Sequence, residues 1–311
     1  MESTTRTLHS PPATLPLYLR ALRRRSSAAD ATLPDTEWRR LGVRTDLDHL
    51  GAYCRLTGHR LASTLPGLYP HLAAFALQLA VLTDRRFPFP ALGLVHVGNR
   101  VTQVRPIGVD EAFDVAVRAE RRRPHRSGTV VDVATTATVA GVVVWEETTT
   151  VLSRGTRHPD VSDTSPLSGL TAPTGSIRWQ VPRDTGRRFA AVSGDRNPIH
   201  LSAVTARPFG FPSAIAHGMW TAARALAAVE STLPDSYRYE VAFRRPVLLP
   251  SAVHFGTTGP ARPDAGTGRL LGVTSTDGAT AHLVARISTG RQAPAPTAAT
   301  VSVSAARTAA G

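Results

Sequence analysis

The sequence predicts an α+β protein in which one domain pattern occurs twice. Each half of the 311-residue chain contains a strand-like segment, a short helix, a longer apolar helix and then a run of strands. A stretch rich in Ser, Thr, Pro and Gly, residues 156–174, lies between the halves. This order is typical of a domain whose antiparallel sheet wraps around one central helix.

In the second half, the elements begin with residues 176–181, which alternate like a strand. Asp184 can cap a helix that contains Phe189, and Gly194 is a good residue to end it. A mostly apolar helix is then expected from His217 to Ser231. Strands are expected in the segments 237–248, 252–258, 269–276 and 279–289.

The first half repeats this order. A strand is expected over residues 36–43 and a helix over 46–57, with Gly58 as its stop. The long helix corresponds to residues 70–83, and the strands to segments 93–107, 113–122 and 128–152, the last of which is rich in Val and Thr. In the alignment of the two halves, Tyr53–His59 lies over Phe189–Asp195.

These patterns set the domain boundaries. We expect a first domain over residues 13–155, a linker over 156–174 and a second domain over 175–291. Residues 1–12 and the Ala/Pro/Thr/Ser-rich tail, 292–311, have little to bury and are expected to be disordered.

Composition limits the class of protein. No segment approaches the roughly 20 apolar residues that cross a bilayer, and the apolar segment Leu15–Leu19 is too short for a signal peptide. The single cysteine, Cys54, excludes an intrachain disulfide and a multi-cysteine metal site. We therefore expect a cytoplasmic protein.

The net charge of +13 leaves two interpretations open. The basic residues are all arginines, and they are scattered without interleaved aromatic residues, which disfavours nucleic-acid binding. They could form an ordinary solvated surface. Alternatively, they could attract acidic or phosphate-bearing partners.

One segment carries chemistry: Ser193-Gly194-Asp195-Arg196-Asn197-Pro198-Ile199-His200. A carboxylate and an imidazole can together move protons at neutral pH. Pro198 prevents a continuous helix, so the two side chains can converge on one cleft. Ala216-His217-Gly218 then opens the apolar helix, whose N-terminus offers free N–H groups to a developing oxyanion.

These residues resemble the signature of the MaoC-like acyl dehydratases, the R-specific enoyl-thioester hydratases: G-D-x-N-P-[I/L]-H followed by A-H-G. The specific motif lies between Phe189 and Trp220. The resemblance implies two tandem hotdog domains and a substrate that is a (3R)-hydroxyacyl thioester of coenzyme A or acyl carrier protein. It implies that Asp195 and His200 act together: one takes the α-proton and the other protonates the departing hydroxyl. No cofactor and no metal are expected.

Three further residues are assigned to substrate binding. Gly218 offers its backbone N–H to the thioester carbonyl and lets the substrate approach closely, although close helix packing would also explain it. Asn197 either forms an Asx turn before Pro198 or orients the catalytic pair. His217 is expected to hold the loop rather than to act as a second base.

The first half lacks this signature. His59 stands where Asp195 stands in the second half, and no Asn-Pro-x-His follows it. We therefore expect catalysis only in the second half, with the first half free to form a wider groove for a long acyl chain. Its long helix, which contains Phe75, is equally well explained as core.

Two other functions compete with the hydro-lyase. Hotdog domains also occur in thioesterases, and a non-catalytic acyl-binding subunit of a dehydratase pair would have the same fold. The sequence contains no G-x-S-x-G elbow, phosphate loop, dinucleotide fingerprint or metal-ligand spacing. A pair of domains within one chain makes further homodimerisation optional.

Overall fold

The computed structural model describes residues 4–23, 32–161, 165, 167–259 and 268–289. Its helices are α1 Thr14–Arg23, α2 Leu47–Thr57, α3 Tyr69–Leu82, α4 Thr185–Ser193, α5 Ala203–Ala206 and α6 Gly218–Ala227, and short 3-10 turns cover Pro198–His200, Arg207–Phe209 and Glu230–Thr232. Its strands are β1 Thr5–Leu8, β2 Glu37–Val43, β3 Val95–Gln103, β4 Phe113–His125, β5 Gly128–Val139, β6 Val142–Arg154, β7 Ile177–Val181, β8 Tyr237–Phe243, β9 Ser251–Thr258, β10 Arg269–Ser275 and β11 Ala281–Ser288.

The strands form one sheet in the order β1-β2-β4-β5-β6-β3-β8-β11-β10-β9-β7. Apart from the edge strand β1, the sheet consists of two five-stranded halves, β2-β4-β5-β6-β3 and β7-β9-β10-β11-β8, each read from the outside inwards. In both halves the first strand along the chain is outermost and the second is innermost, so the predicted duplication is confirmed. The halves join where β3 pairs antiparallel with β8, from Gly98 opposite Ala242 to Gln103 opposite Tyr237. We call the two halves the first and second repeat.

The helices of both repeats pack into one hydrophobic core. Buried α6 residues such as Ala222 and Leu226 lie in this core together with Leu77 of α3. The indole N–H of Trp220 donates to the Leu56 carbonyl of α2 at 3.0 Å, which ties the second repeat to the first. The core is therefore shared rather than divided between two independent domains.

Left-handed glycines end both short helices, as predicted. Gly58 has φ 84° and Gly194 has φ 76°, and each backbone N–H donates back into its helix. Asp46 caps α2 through its side chain. Asp184 precedes α4 but its side chain makes no capping hydrogen bond, because its backbone is helical instead of extended.

The N-terminal segment differs from expectation. Of the residues expected to be disordered, Thr5–Leu8 form β1, which adds in parallel to the edge strand β2, and the Arg6 guanidinium lies 5.1 Å from the centre of the Trp38 ring. The cause is the unpaired edge that β2 would otherwise present. The other expected disordered segment, 292–311, lies outside the described residues.

Other differences are smaller. Helix α6 ends at Ala227, before the expected Ser231, and a 3-10 turn follows it. The expected long segment 128–152 is a hairpin of β5 and β6. The described part of segment 156–174 has no helix or strand, although Leu167 and Ala172 are buried. None of the helices in the described ranges is long and apolar enough to cross a membrane.

Candidate active site

Asp195 lies directly after the left-handed Gly194 that ends α4, so the turn aims its carboxylate away from the helix. Its Oδ1 accepts hydrogen bonds from the Asn197 N–H at 3.1 Å and from the Tyr18 hydroxyl at 2.9 Å. The Tyr18 oxygen in turn accepts the Arg196 N–H at 2.9 Å. One carboxylate oxygen is thus fixed by the loop and by α1, and Oδ2 is left for chemistry.

His200 lies on the 3-10 turn that follows Pro198, and only 8% of it is exposed. Its Nδ1 lies 2.8 Å from the Ile215 carbonyl oxygen. Because a carbonyl can only accept, Nδ1 carries the proton in the neutral ring. Nε2 of His200 is therefore the proton acceptor.

His217 is the residue immediately before α6 and lies against His200. The two rings stack with centroids 3.6 Å apart. Its Nε2 donates to the Asp195 backbone carbonyl at 3.0 Å and lies 3.6 Å from Oδ2 of the same residue. His217 thus holds the loop, in agreement with its expected structural part; direct contact with a substrate stays a prediction.

The pKa values of Asp195, His200 and His217 are shifted in directions that favour proton acceptance at neutral pH. Burial raises the pKa of the Asp195 carboxyl, but the imidazoles of His217 and His200 and the hydrogen bonds from Asn197 and Tyr18 outweigh it, so the pKa lies below its usual value. Burial lowers the pKa of His200, although the charge of Asp195 opposes it. Burial and the neighbouring His200 lower the pKa of His217 to about 3. At neutral pH the carboxylate is charged and both rings are neutral.

Gly218 begins α6 and is partly exposed. A Cβ at this position would lie 3.0 Å from the Phe243 ring, so close packing already favours glycine here. The binding of a carbonyl by its N–H stays a prediction. Asn197 forms the expected Asx-type contact, at a long 3.4 Å from its Oδ1 to the Ile199 N–H, and its orienting contact to Asp195 comes from the backbone rather than from the amide.

The first repeat supplies one side of the site. Phe75 of α3 lies 3.6 Å from where a Cβ on Gly194 would be. His96 of β3 packs edge-on against Phe243, with centroids 4.7 Å apart. Burial, together with the His71 charge, lowers the pKa of His96 to about 4, so this ring is also neutral.

A buried ion pair of His71 and Glu147 lies close to His96. His71 Nδ1 is 2.8 Å from Oε1 of Glu147, whose side chain is fully buried. Gln78 and Asn99 donate to the same carboxylate. Burial opposes both charges, but their mutual attraction dominates, so the pKa of His71 is raised and that of Glu147 is lowered.

The equivalent place in the first repeat is a cavity of about 360 Å³ beside His59. His59 follows its left-handed glycine as Asp195 does, but its Nδ1 is bonded to Thr57, and burial lowers its pKa to about 4. Its Nε2 is buried without a hydrogen-bond partner in the described part of the chain. The expected wider groove for a long acyl chain stays a prediction, which a chain-length series upward from crotonyl-CoA tests.

Ligand atoms of Asp195, His200 and His217 all lie within 4.8 Å of one another, so this trio could also hold a metal ion. The sequence search missed it because the three residues do not have the short, regular spacing of a local metal motif. Tyr18 and His96 were missed as well. They lie in other elements, far from the signature along the chain, and no local pattern marks them.

Comparisons with known proteins identify the family. Residues 156–259 match the family described as MaoC like domain. The chain is 38% identical over 255 residues to 3-hydroxyacyl-thioester dehydratase X of Mycobacterium tuberculosis, covering 76% of this chain and 88% of that one.

Solved structures give the same result for the fold. A crystal structure of HtdX of Mycobacterium tuberculosis superposes with a TM-score of 0.69 at 35% identity, covering 81% of this chain and 99% of that one. A conserved hypothetical protein of the same organism, described as having a double hotdog fold, superposes with a TM-score of 0.50 at 13% identity, covering 79% of this chain and 92% of that one. The second likeness concerns the fold alone.

Proposed function

Because the chain belongs to the MaoC-like dehydratase family, we propose that it is a hydro-lyase that interconverts (3R)-hydroxyacyl and trans-2-enoyl thioesters with Asp195 and His200. The observation that carries this proposal is the convergence of the two groups. The ionised carboxylate of Asp195, which is partly buried, and the buried ring of His200 belong to one cluster, in which one ligand atom of each residue lies within 4.8 Å of the others. The Nε2 of this ring is unprotonated. Such a pair is suited to proton transfer next to a thioester.

The protonation states define the proton balance. At rest both members are proton acceptors, since the Asp195 pKa lies below its usual value and so does that of His200. During dehydration one member takes the α-proton, which passes within the pair to the member next to the hydroxyl. The C–O bond then breaks, and the hydroxyl leaves with this proton as water. Hydration takes a proton from water and places it on the α-carbon. The pair returns to its starting state in both directions, and no cofactor is consumed.

The enolate-like oxygen formed between these steps needs a donor. We assign this part to the Gly218 N–H, which begins α6 and has no i−4 partner within that helix. The partial positive charge at the helix N-terminus adds to the stabilisation. Substrate thioesters of coenzyme A and of acyl carrier protein are both compatible with this chemistry.

A hydration assay with crotonyl-CoA tests the proposal. Loss of the enoyl absorbance without release of free thiol is the result expected of a hydro-lyase. Release of thiol would indicate the competing thioesterase, and absence of both changes across acyl-CoA and acyl-carrier substrates would indicate a binding subunit. A deletion of the first repeat is unsuitable as a control because the core is shared.

A further inference from the structure

A basic cleft opens on the first repeat, away from the catalytic pair. It has a volume of about 570 Å³ and lies between β1, α1 and the segment that follows α3. Its lining residues are Thr4, Arg6, Arg20, Thr36, Asp84, Arg85 and Arg86. Four arginines line the cleft, against Asp84 in its lining and Asp35, which pairs with Arg86, so its charge is net positive and favours an anionic ligand.

Two of these arginines are held in place by the surrounding structure. The Arg86 guanidinium bonds to Asp35 at 2.5 Å, and Arg6 lies over the Trp38 ring. Arg6 belongs to β1, the strand that was not expected from the sequence, so its pairing with β2 builds this side of the cleft. Guanidinium groups so arranged match the oxygens of phosphate.

The cleft lies within reach of the catalytic site. Phe75 packs beside Gly194, and α3 runs on for seven residues, about 10 Å along its axis, to Leu82. Asp84 of the cleft follows directly after the end of this helix. On α1, Tyr18 bonds Asp195 while Arg20 lines the cleft. A pantetheine arm spans roughly 15 Å when extended, as its chain is about as long as four to five residues. The two sites are therefore separated by about one such arm.

An unexplained apolar surface connects them. At about 100° per residue, Tyr18 and Arg20 point about 200° apart round α1. Three leucines of α1 lie in the arc between them on the outer side: Leu15 is 69% exposed, Leu19 47% and Leu22 65%. This stripe offers exposed apolar surface to the gem-dimethyl and methylene groups of pantetheine.

We propose that the arginine cleft binds the phosphate-bearing nucleotide end of a coenzyme A thioester, whose pantetheine arm crosses the leucine stripe of α1. The thioester end then reaches Asp195 and His200. Only this last contact rests on the proposed function, since the anion site stands on its own residues. Coenzyme A, rather than a carrier protein, is the ligand assigned, because the cleft is a cavity large enough for a nucleotide and not a flat docking face.

Kinetics with two substrates test the assignment. Crotonyl-CoA carries the nucleotide, and crotonyl-pantetheine does not. In Arg20→Ala and Arg85→Ala the KM for crotonyl-CoA should rise about tenfold relative to the KM for crotonyl-pantetheine, as expected for loss of one charged hydrogen bond to phosphate. Arg178→Ala is the matched control, because this exposed arginine lies on the opposite edge strand, β7. An unchanged ratio in the cleft variants would overturn the proposal.

Direct binding separates this proposal from the catalytic one. Adenosine 3′,5′-bisphosphate should bind the intact protein in calorimetry, and both cleft variants should weaken it about tenfold while Arg178→Ala does not. An affinity for adenosine 3′,5′-bisphosphate that is unchanged in both cleft variants would contradict the assignment. So would an increase in KM that is confined to an acyl-carrier substrate. If adenosine bisphosphate binds as expected but no thioester is hydrated, the dehydratase proposal fails and the anion site remains.

Discussion

Two backbone carbonyls set the tautomers of the two histidines at the site. Ile215 fixes the proton of His200 on Nδ1, and Asp195 fixes the proton of His217 on Nε2. We predict that Asp195→Asn and His200→Ala each lower kcat by roughly 10² to 10⁴. His59→Ala, at the equivalent place in the first repeat, should be mild. Steady-state hydration kinetics measure these effects. An equal loss of kcat in His59→Ala would contradict the assignment of catalysis to the second repeat.

Tyr18 acts on the same carboxylate from outside the signature. Its hydroxyl helps to hold the pKa of Asp195 below the usual value, so Tyr18→Phe should raise that pKa and leave the ring packing intact. Because the active form is the carboxylate, activity is lost as pH falls through this pKa, and the acid limb of the pH–kcat profile should move upward. Full pH profiles of both proteins measure the shift.

The matched control for this variant is Tyr239→Phe, which removes a buried phenol hydrogen bond to Ala222 of α6. It should lower the thermal midpoint but leave the acid limb in place. An acid limb in Tyr18→Phe that coincides with that of the unmodified protein would show that the hydrogen bond does not tune Asp195.

At the scale of elements, the two left-handed glycines are a natural pair. Gly194→Ala and Gly58→Ala each force a side chain into a left-handed backbone, at φ 76° and 84°, with a cost of about 1 kcal/mol or more in unfolding free energy. Gly194 sets the direction of Asp195, so its variant should also lose kcat. Gly58→Ala should keep kcat despite the clash it makes with Arg224. Denaturant unfolding and kinetics of both variants measure these effects. Equal losses of kcat in the two variants would show that Gly194 does not orient Asp195.

The elements that sequence could predict are those with strong local signals. Helix α2 has a capping aspartate and a glycine stop, and β5 and β6 are rich in Val and Thr. Helix α1 has ten residues with Pro16 near its start, too short to be stable alone, and it depends on packing of Leu17 against α3. Since Tyr18 belongs to this helix, its contact with Asp195 could not be predicted either.

At the scale of the whole molecule, the repeats form one folding unit. The sheet is continuous through β3 and β8, and Tyr18 of the N-terminal segment completes the site in the second repeat. We predict that the isolated second repeat, residues 175–291, is insoluble or inactive because it exposes the apolar surface that the first repeat covers. The full chain is the matched control in gel filtration and hydration kinetics, and a fully active monomeric fragment would contradict a shared core.

The repeat order, the signature and the family could be predicted from sequence because each depends on residues that are close together along the chain. The pairing of β3 with β8 and the buried His71–Glu147 pair could not, since they join residues that only the folded sheet brings together.

The most direct test of the central claim is the configuration of the product. Hydration of a trans-2-enoyl thioester by the unmodified protein, followed by chiral analysis, should give the (3R)-hydroxyacyl thioester, and the same reaction with Asp195→Asn should give almost none. The reason is that one fixed pair of proton-transfer groups, with the carbonyl held at Gly218, addresses only one face of the double bond. A (3S) product, or release of free thiol in place of hydration, would contradict the account.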